Sequence, residues 1–456
     1  MSAAAANLWA SRYEDALAPG EIQRRAETRG SSIANTSPSY VEAVCLAIQR
    51  GLEAVNLITA QTESIIRAEL ERAAAHAAHV YANPQAALSA VYGRVSVSEP
   101  YMPTFLTGLA GVGKSRIRQS IRLVLSGNRS ICIDEAHPSV PLIDYAECTI
   151  GQQRSVGAVL RQLAGPEIAA GRVKISQGDI SAECARWQRV VGTCLVGVDE
   201  MQFMTQSAGA TTLTARTLLA VADVGVPWFV VANYSLVCKL LRRPSEALQR
   251  LLGRPVVLFP DTPDSTDWTA LLNEYQVVLN EFLDFSLTNK RSEIWNLCAG
   301  LKRELVKLLV QAYRVARSSG MQRIGWLHVE QAFKSLEFSV SRRDINLLIA
   351  HAGQGGSLRG DLDCPFEGPP LSRRATAYAE QLRVARQSEV GRAEVEAAMN
   401  AQERHAMGEI KTSTQTEKSK SAAIIPLPKK KRKSLESLVE AGHLMRNSRA
   451  GKANDL

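Results

Sequence analysis

The 456-residue chain is poor in aromatic residues, at 5%, and no run of about 18 consecutive apolar residues occurs in it, which excludes a helical membrane span. With Glu14 and Asp15 so early, the first residues also lack the basic-then-apolar layout of a signal peptide, and a cytoplasmic protein is expected. Cysteine is sparse and unpatterned. Its eight residues (Cys45, Cys132, Cys148, Cys184, Cys194, Cys238, Cys298 and Cys364) never fall at CxxC spacing. A zinc ribbon and a disulfide framework are therefore excluded, and the thiols are expected as small core residues in a reducing compartment. Wholesale disorder is excluded as well, because 45% hydrophobic and 22% charged residues suffice for one large core or two medium ones. The net charge of +9 is unevenly placed: from Lys411 onward there are 11 Lys and Arg against 4 Asp and Glu. The basic character belongs mostly to the tail.

Four regions follow from changes in pattern. Residues 1–95 form a helical N-terminal region, in which Val41, Val44, Cys45, Ile48, Leu52, Val55 and Ile58 recur at helical spacing within one long helical stretch from Ser39 to His79. Residues 96–262 alternate β-rich runs (104–107, 130–133, 193–198, 228–232, 255–259) with helical patterns. This predicts an α/β fold with a parallel sheet covered on both faces. Residues 263–345 read as a helical lid of three stretches punctuated by Gly300 and Gly320, and residues 346–456 as a linker, one helix over 372–406 and a basic, largely disordered tail.

The strongest motif is Gly108-Leu109-Ala110-Gly111-Val112-Gly113-Lys114-Ser115, a match to G-x4-G-K-[ST] placed between a short apolar run and a helical pattern. Gly108, Gly111 and Gly113, with Val112, let backbone N–H groups turn around a phosphate at a helix N-terminus. Lys114 bridges the β- and γ-phosphates of ATP, and the Ser115 hydroxyl ligates Mg²⁺. Such a cradle needs a carboxylate at the end of a neighbouring strand. The run Cys194 to Val198 ends in Asp199 and Glu200, 85 and 86 residues after Lys114. Asp199 is assigned to the metal and Glu200 to polarising the attacking water as general base.

A second acidic box, Asp134-Glu135-Ala136-His137, reproduces the DEAH sequence of helicases, but it lies only 20 residues after Lys114 and no second motor follows. Asp134 is instead expected at the end of the second strand of the sheet. The strand at 227–232 ends in Asn233, a polar group suited to orienting the lytic water, although a simple strand cap would look the same. Arg250 and Arg254 precede the last β-rich run. Either could reach a nucleotide in a neighbouring subunit as an arginine finger, or be an ordinary surface charge. His76 and His79 lie three apart without a nearby Cys or acid pair, and are expected to face solvent.

With these elements in this order, the chain resembles the AAA+ ATPases. Val198-Asp199-Glu200-Met201-Gln202, Ala232-Asn233, Arg254 before a strand ending at Pro260, and Ala299 to Leu305 followed by a helix and Ile324 are similar to the TnsC and TniB regulators of Tn7-like transposons. The resemblance spans roughly residues 40–340. It implies ATP and Mg²⁺ as cofactors, ATP-driven homo-oligomerisation as a ring or filament on duplex DNA, linkage of target-selection proteins to a transposase, and disassembly on hydrolysis. It also implies that Lys302 or Arg303, with Arg303 preferred, contacts the nucleotide from the lid. Two alternatives stay open: another AAA+ DNA-associated ATPase of helicase-loader or secretion type, and a nucleotide-gated scaffold with little turnover. The cluster Pro428-Lys429-Lys430-Lys431-Arg432-Lys433, with Leu435, Leu438 and Val439 after it, reads as a docking segment or a solvated charge run.

Overall fold

A computed structural model describes residues 7–34, 40–93, 100–127, 129–149, 155–176, 178–199, 210–354, 358–366, 373–400 and 402–403. The chain divides into two compact units, Met1–Val390 and Gly391–Leu456. The basic tail and Glu200 lie outside the described residues.

The amino-terminal part is helical: α1 (Leu8–Leu17), α2 (Glu21–Ala26), α3 (Val41–Ala54), α4 (Ala60–Val80) and α5 (Pro84–Tyr92). The stretch expected as one long helix is two. After α3 the chain extends through Val55 to Ile58, where Asn56 and Thr28 exchange backbone hydrogen bonds of 2.8 and 2.9 Å. Thr59 then caps α4 by accepting from the Thr62 amide, with Glu63 in the first turn. Val55, Asn56, Ile58 and Thr59 are all poor helix formers, and the cap gives α4 its own start. His76 of α4 is buried rather than solvent-facing, with Nδ1 2.8 Å from the Tyr101 hydroxyl. Burial lowers its pKa to about 4, so the ring is neutral near pH 7.

The central elements are β1 (Thr104–Gly108), α6 (Lys114–Val124), β2 (Arg129–Ile131), β3 (Val140–Leu142), β4 (Ala146–Thr149), α7 (Val156–Arg161), α8 (Pro166–Ala169), α9 (Ile180–Val190), β5 (Val196–Asp199), α10 (Ala210–Ala222), β6 (Trp228–Val231), α11 (Tyr234–Leu240), α12 (Ser245–Leu251) and β7 (Arg254–Leu258). Among the described residues, five strands form one parallel sheet in the order β4-β5-β6-β1-β7. Alternate strand residues enter opposite cores, as a sheet covered on both faces requires. Leu106, Phe229 and Val231 join Ile117 and Ile121 of α6 and the amino-terminal helices. Phe105, Val198 and Val230 join α7, α9 and α10. The expected α/β P-loop architecture is therefore present.

One strand differs from expectation. Residues 129–131 pair antiparallel with β3 in a separate hairpin, and β4 holds the second-strand place in the parallel sheet. Arg129 and Ser130 leave Ile131 as the buried residue of β2. Asp134 lies at the exposed tip beyond β2, where Oδ1 accepts from the His137 amide at 2.8 Å. It is not the end of a sheet strand.

After β7 the chain is helical: α13 (Thr266–Val278), α14 (Arg291–Cys298), α15 (Lys302–Ser318), α16 (Trp326–Lys334), α17 (Ser339–Gln354) and α18 (Arg373–Ala398). Between Asp264 and Phe338 there are thus four helices where three stretches were expected, because residues 279–290 divide the first. Residues 358–366 return to α11, where the Cys238 thiol donates to the Gly360 carbonyl at 3.2 Å. Tyr378 of α18 donates to the Ala299 carbonyl at 3.2 Å and meets Trp295 edge-on. Five cysteines are buried, as expected of core thiols, but Cys132 is exposed and Cys238 and Cys364 are half-buried.

Candidate nucleotide site

The turn from β1 to α6 depends on glycine at two places. Gly111 has φ +85° and Gly113 has φ +119°, a region that L side chains rarely adopt. A Cβ at Gly111 would also lie 2.9 Å from the Cβ of Arg303. The loop delivers Lys114 to the first position of α6, where the residue is 6% exposed and its ammonium donates to the Gly108 and Leu109 carbonyls at 2.8 Å each. Burial, with the like charge of Arg303 adding to it and Asp199 opposing, lowers its pKa to about 7. A buried ammonium held by neutral carbonyls at a helix N-terminus is a site that an anion would stabilise.

The Lys114 cradle opens into a cavity of about 420 Å³, within the range of small-ligand pockets. Gly111, Val112, Gly113, Lys114 and Ser115 line it from the loop, Asp199 from the end of β5, and Asn233 from the end of β6. Arg303 reaches it from α15, beyond the sheet. The positive-φ pair Ala299 and Gly300 turns α14 into α15, and the Arg303 amide then donates to the Gly111 carbonyl at 3.2 Å. Beside it, Lys302 pairs with Asp261 at 3.6 Å. Gly111 and Arg303, 192 positions apart, thus meet at one loop.

The structure also places residues here that the sequence did not announce. Arg118, one turn after Ser115, donates from Nε to Oδ2 of Asp199 at 2.9 Å, and its guanidinium also pairs with Glu147 of β4. Glu147 accepts in addition from Arg122 at 3.2 Å. The opposite wall comes from the break between α3 and α4, with Leu57 and Ile58, and from Leu271, Tyr275 and Val306 of α13 and α15. Polar residues of the same break, Asn56, Thr59 and Thr62, line it as well. The capping pattern of Thr59 with Glu63 was the sequence signal that could have located this break.

Two assigned residues stand apart. Arg254 opens β7 opposite Thr104, whereas Gly108, where the P-loop starts, pairs with Leu258. Arg254 is therefore about 13 Å of strand away from the loop, at ~3.3 Å per residue, and it is exposed. Arg250, in the last turn of α12, is exposed as well and does not line the cavity. Among the described residues no cluster of His, Cys, Asp or Glu has the makeup of a metal site, and no helix is long and apolar enough to cross a membrane.

No protein-family model matches the chain, and no curated protein matches it in sequence. Solved structures do. The ORC2 protein of Aeropyrum pernix, in its ADPNP-ADP complexes, is 13% identical with a TM-score of 0.40, over 65% of this chain and 74% of that one. The ORC1 protein of Aeropyrum pernix in complex with DNA is 16% identical with a TM-score of 0.33, over 82% and 87%. The RuvB Holliday junction branch migration motor of Thermotoga maritima is 14% identical with a TM-score of 0.33, over 66% and 86%.

Proposed function

We propose that this protein is an AAA+ ATPase that binds and hydrolyses ATP with Mg²⁺, assembles with further copies on duplex DNA and regulates DNA transposition. The observation that carries the ATPase reading is the single cavity in which Lys114, Ser115, Asp199, Asn233 and Arg303 converge. The AAA+ class is supported by the sheet order and by the return of α15 from beyond the sheet to the P-loop. The four sequence regions serve this reading as helical N-terminal region, ATPase core, lid and tail.

The donor set fits both groups. Loop amides and the Lys114 ammonium suit the β- and γ-phosphates, and the Ser115 hydroxyl with the Asp199 carboxylate suits a hard divalent cation. Mg²⁺ bound there supplies charge neutralisation for the phosphate oxygens. Lys114 and the glycine amides bind and orient the phosphates, Asn233 orients the attacking water, and Glu200 takes its proton. Arg303 stabilises the γ-phosphate from the lid. Arg254, or Arg250, does so for the nucleotide of a neighbouring copy, since its own cavity is at the far end of β1. Duplex DNA, the transposase and the target-selection proteins are the proposed partners. They follow from the likeness of residues 198–202, 232–233 and 299–305 to the transposition regulators, and the basic tail from Lys429 to Lys433 offers a docking segment for one of them.

The test is a gel shift with duplex DNA in the presence and absence of ATP, joined to ATP turnover with and without that DNA. ATP-dependent, salt-sensitive binding with turnover in Lys114-intact protein supports the reading. DNA affinity indifferent to ATP removes the DNA-regulator part, and absence of nucleotide binding removes the whole.

A further inference from the structure

We infer that Arg118 regulates metal loading of the site, by holding the Asp199 carboxylate until a cation takes it and keeping Glu147 as its remaining partner. The inference rests on the ATPase reading of the cavity. Asp199 is 4% exposed, and its Oδ2 accepts from Arg118 Nε at 2.9 Å. The assigned metal ligand is therefore already neutralised by a side chain of the same protein. Arg118 sits three residues after Ser115 on α6, so Ser115 shares the helix face whose guanidinium reaches Asp199 of β5.

Glu147 explains why the arrangement can move. It stands on β4 opposite Gly197, two residues before Asp199 on β5. The Arg118 guanidinium pairs with it, and Arg122 supplies a second cation to the same carboxylate. When Asp199 releases Arg118, the guanidinium keeps an anionic partner and no buried charge is stranded, which is the condition under which an internal ion pair can exchange cheaply. Asp199 of β5 and Glu147 of β4 thus share one arginine of α6, which can release the first and keep the second. A purely structural clamp between α6 and the strands would use the same contacts but would not alter metal dependence selectively.

The test measures equilibrium binding of a fluorescent ATP analogue by the full chain across a Mg²⁺ titration, with thermal melting of the nucleotide-free proteins alongside. Removing the competitor in Arg118→Ala is expected to lower the Mg²⁺ concentration at half effect by about fivefold, while Glu147→Gln, which leaves Arg118 only Asp199, raises it by a similar factor. Arg118→Lys, which keeps charge but loses the two-ended fork, should fall between wild type and Arg118→Ala. Midpoints that move in the same direction, or do not move, overturn the inference and leave Arg118 a structural clamp. Should Arg118→Ala fail to fold, the opposite shifts of Arg118→Lys and Glu147→Gln decide the matter alone. Wild-type protein that binds no nucleotide at any Mg²⁺ concentration would overturn the ATPase reading and this inference with it, whereas normal wild-type binding with unshifted variants overturns this inference only.

Discussion

The two ends of the cavity are built differently. The phosphate end is a local structure: eight consecutive residues, Gly108 to Ser115, make the loop and the start of α6, and one strand-end carboxylate completes it. The remaining lining, in which apolar and polar side chains are mixed, has no local motif. Leu57 and Ile58 come from a break between amino-terminal helices, and Leu271, Tyr275 and Val306 from helices beyond the sheet. Charge recognition needs specific donors at fixed spacing, so it leaves a pattern in the sequence. An apolar wall needs only shape, so many residue choices serve and no pattern results.

The largest expected effect is at the phosphate end. Lys114→Ala removes the buried ammonium, and affinity should fall roughly 100-fold for ATP and for inorganic triphosphate alike, as charge-assisted contacts of ~1.5–3 kcal/mol imply. Isothermal titration with both ligands checks it. Equal ATP affinity in wild type and variant would remove Lys114 from the site. Gly111→Val should lose nearly as much by a different route, since φ +85° disfavours a β-branched residue and its Cβ would press on Arg303.

A pH effect comes next. With its pKa lowered to about 7 by burial, Lys114 loses its charge progressively above neutrality in the empty site. Phosphates favour the ammonium, so binding takes up a proton, and affinity should decline by up to about tenfold per pH unit above pH 7. Titrations at pH 8 in buffers of different ionisation enthalpy would report the uptake; identical heats in all buffers would contradict it. The stability effect has the opposite sign. Because the folded pKa lies below the unfolded 10.5, the unfolded chain binds more protons between these values. The Lys114 contribution to stability of the empty protein therefore grows as pH rises through that window.

The same contrast accounts for what the sequence revealed. The P-loop, the strands at 104–108, 196–199 and 228–231, and the convergence of Asp199 with Lys114 were legible because each is a short apolar run or a fixed-spacing motif. β4 was not: its four residues Ala146–Thr149 include Glu147, tolerated only because Arg118 and Arg122 neutralise it from α6. The run at 130–133 looked more like a strand of the sheet, but it pairs with β3 in a separate hairpin. The break at Val55 to Thr59 was hidden by helical periodicity on both sides of it, although Thr59 carried a capping signal. His76 seemed too polar for the interior, but Tyr101, 25 residues away, gives its ring a partner there.

The smallest expected effect sharpens the comparison most, because it separates the two ends with one protein. Ile58 is half-buried and lines the opposite wall, so Ile58→Ala removes contact with whatever fills that end without emptying the core. Losing about half the transfer free energy of three carbons is worth roughly 1 kcal/mol, or about fivefold in affinity. That loss should appear for ATP, which carries a base, and be absent for inorganic triphosphate, which does not. Lys114→Ala, by contrast, should weaken both equally. If Ile58→Ala weakened both ligands, the loop between α3 and α4 would be acting through the P-loop helix instead. Asn56 offers the route, since its side-chain amide donates to the Ser120 hydroxyl of α6 at 3.0 Å. Asn56→Ala is then the distinguishing variant: it should lower triphosphate affinity only if the loop supports α6, and leave it unchanged if the wall recognises the base alone.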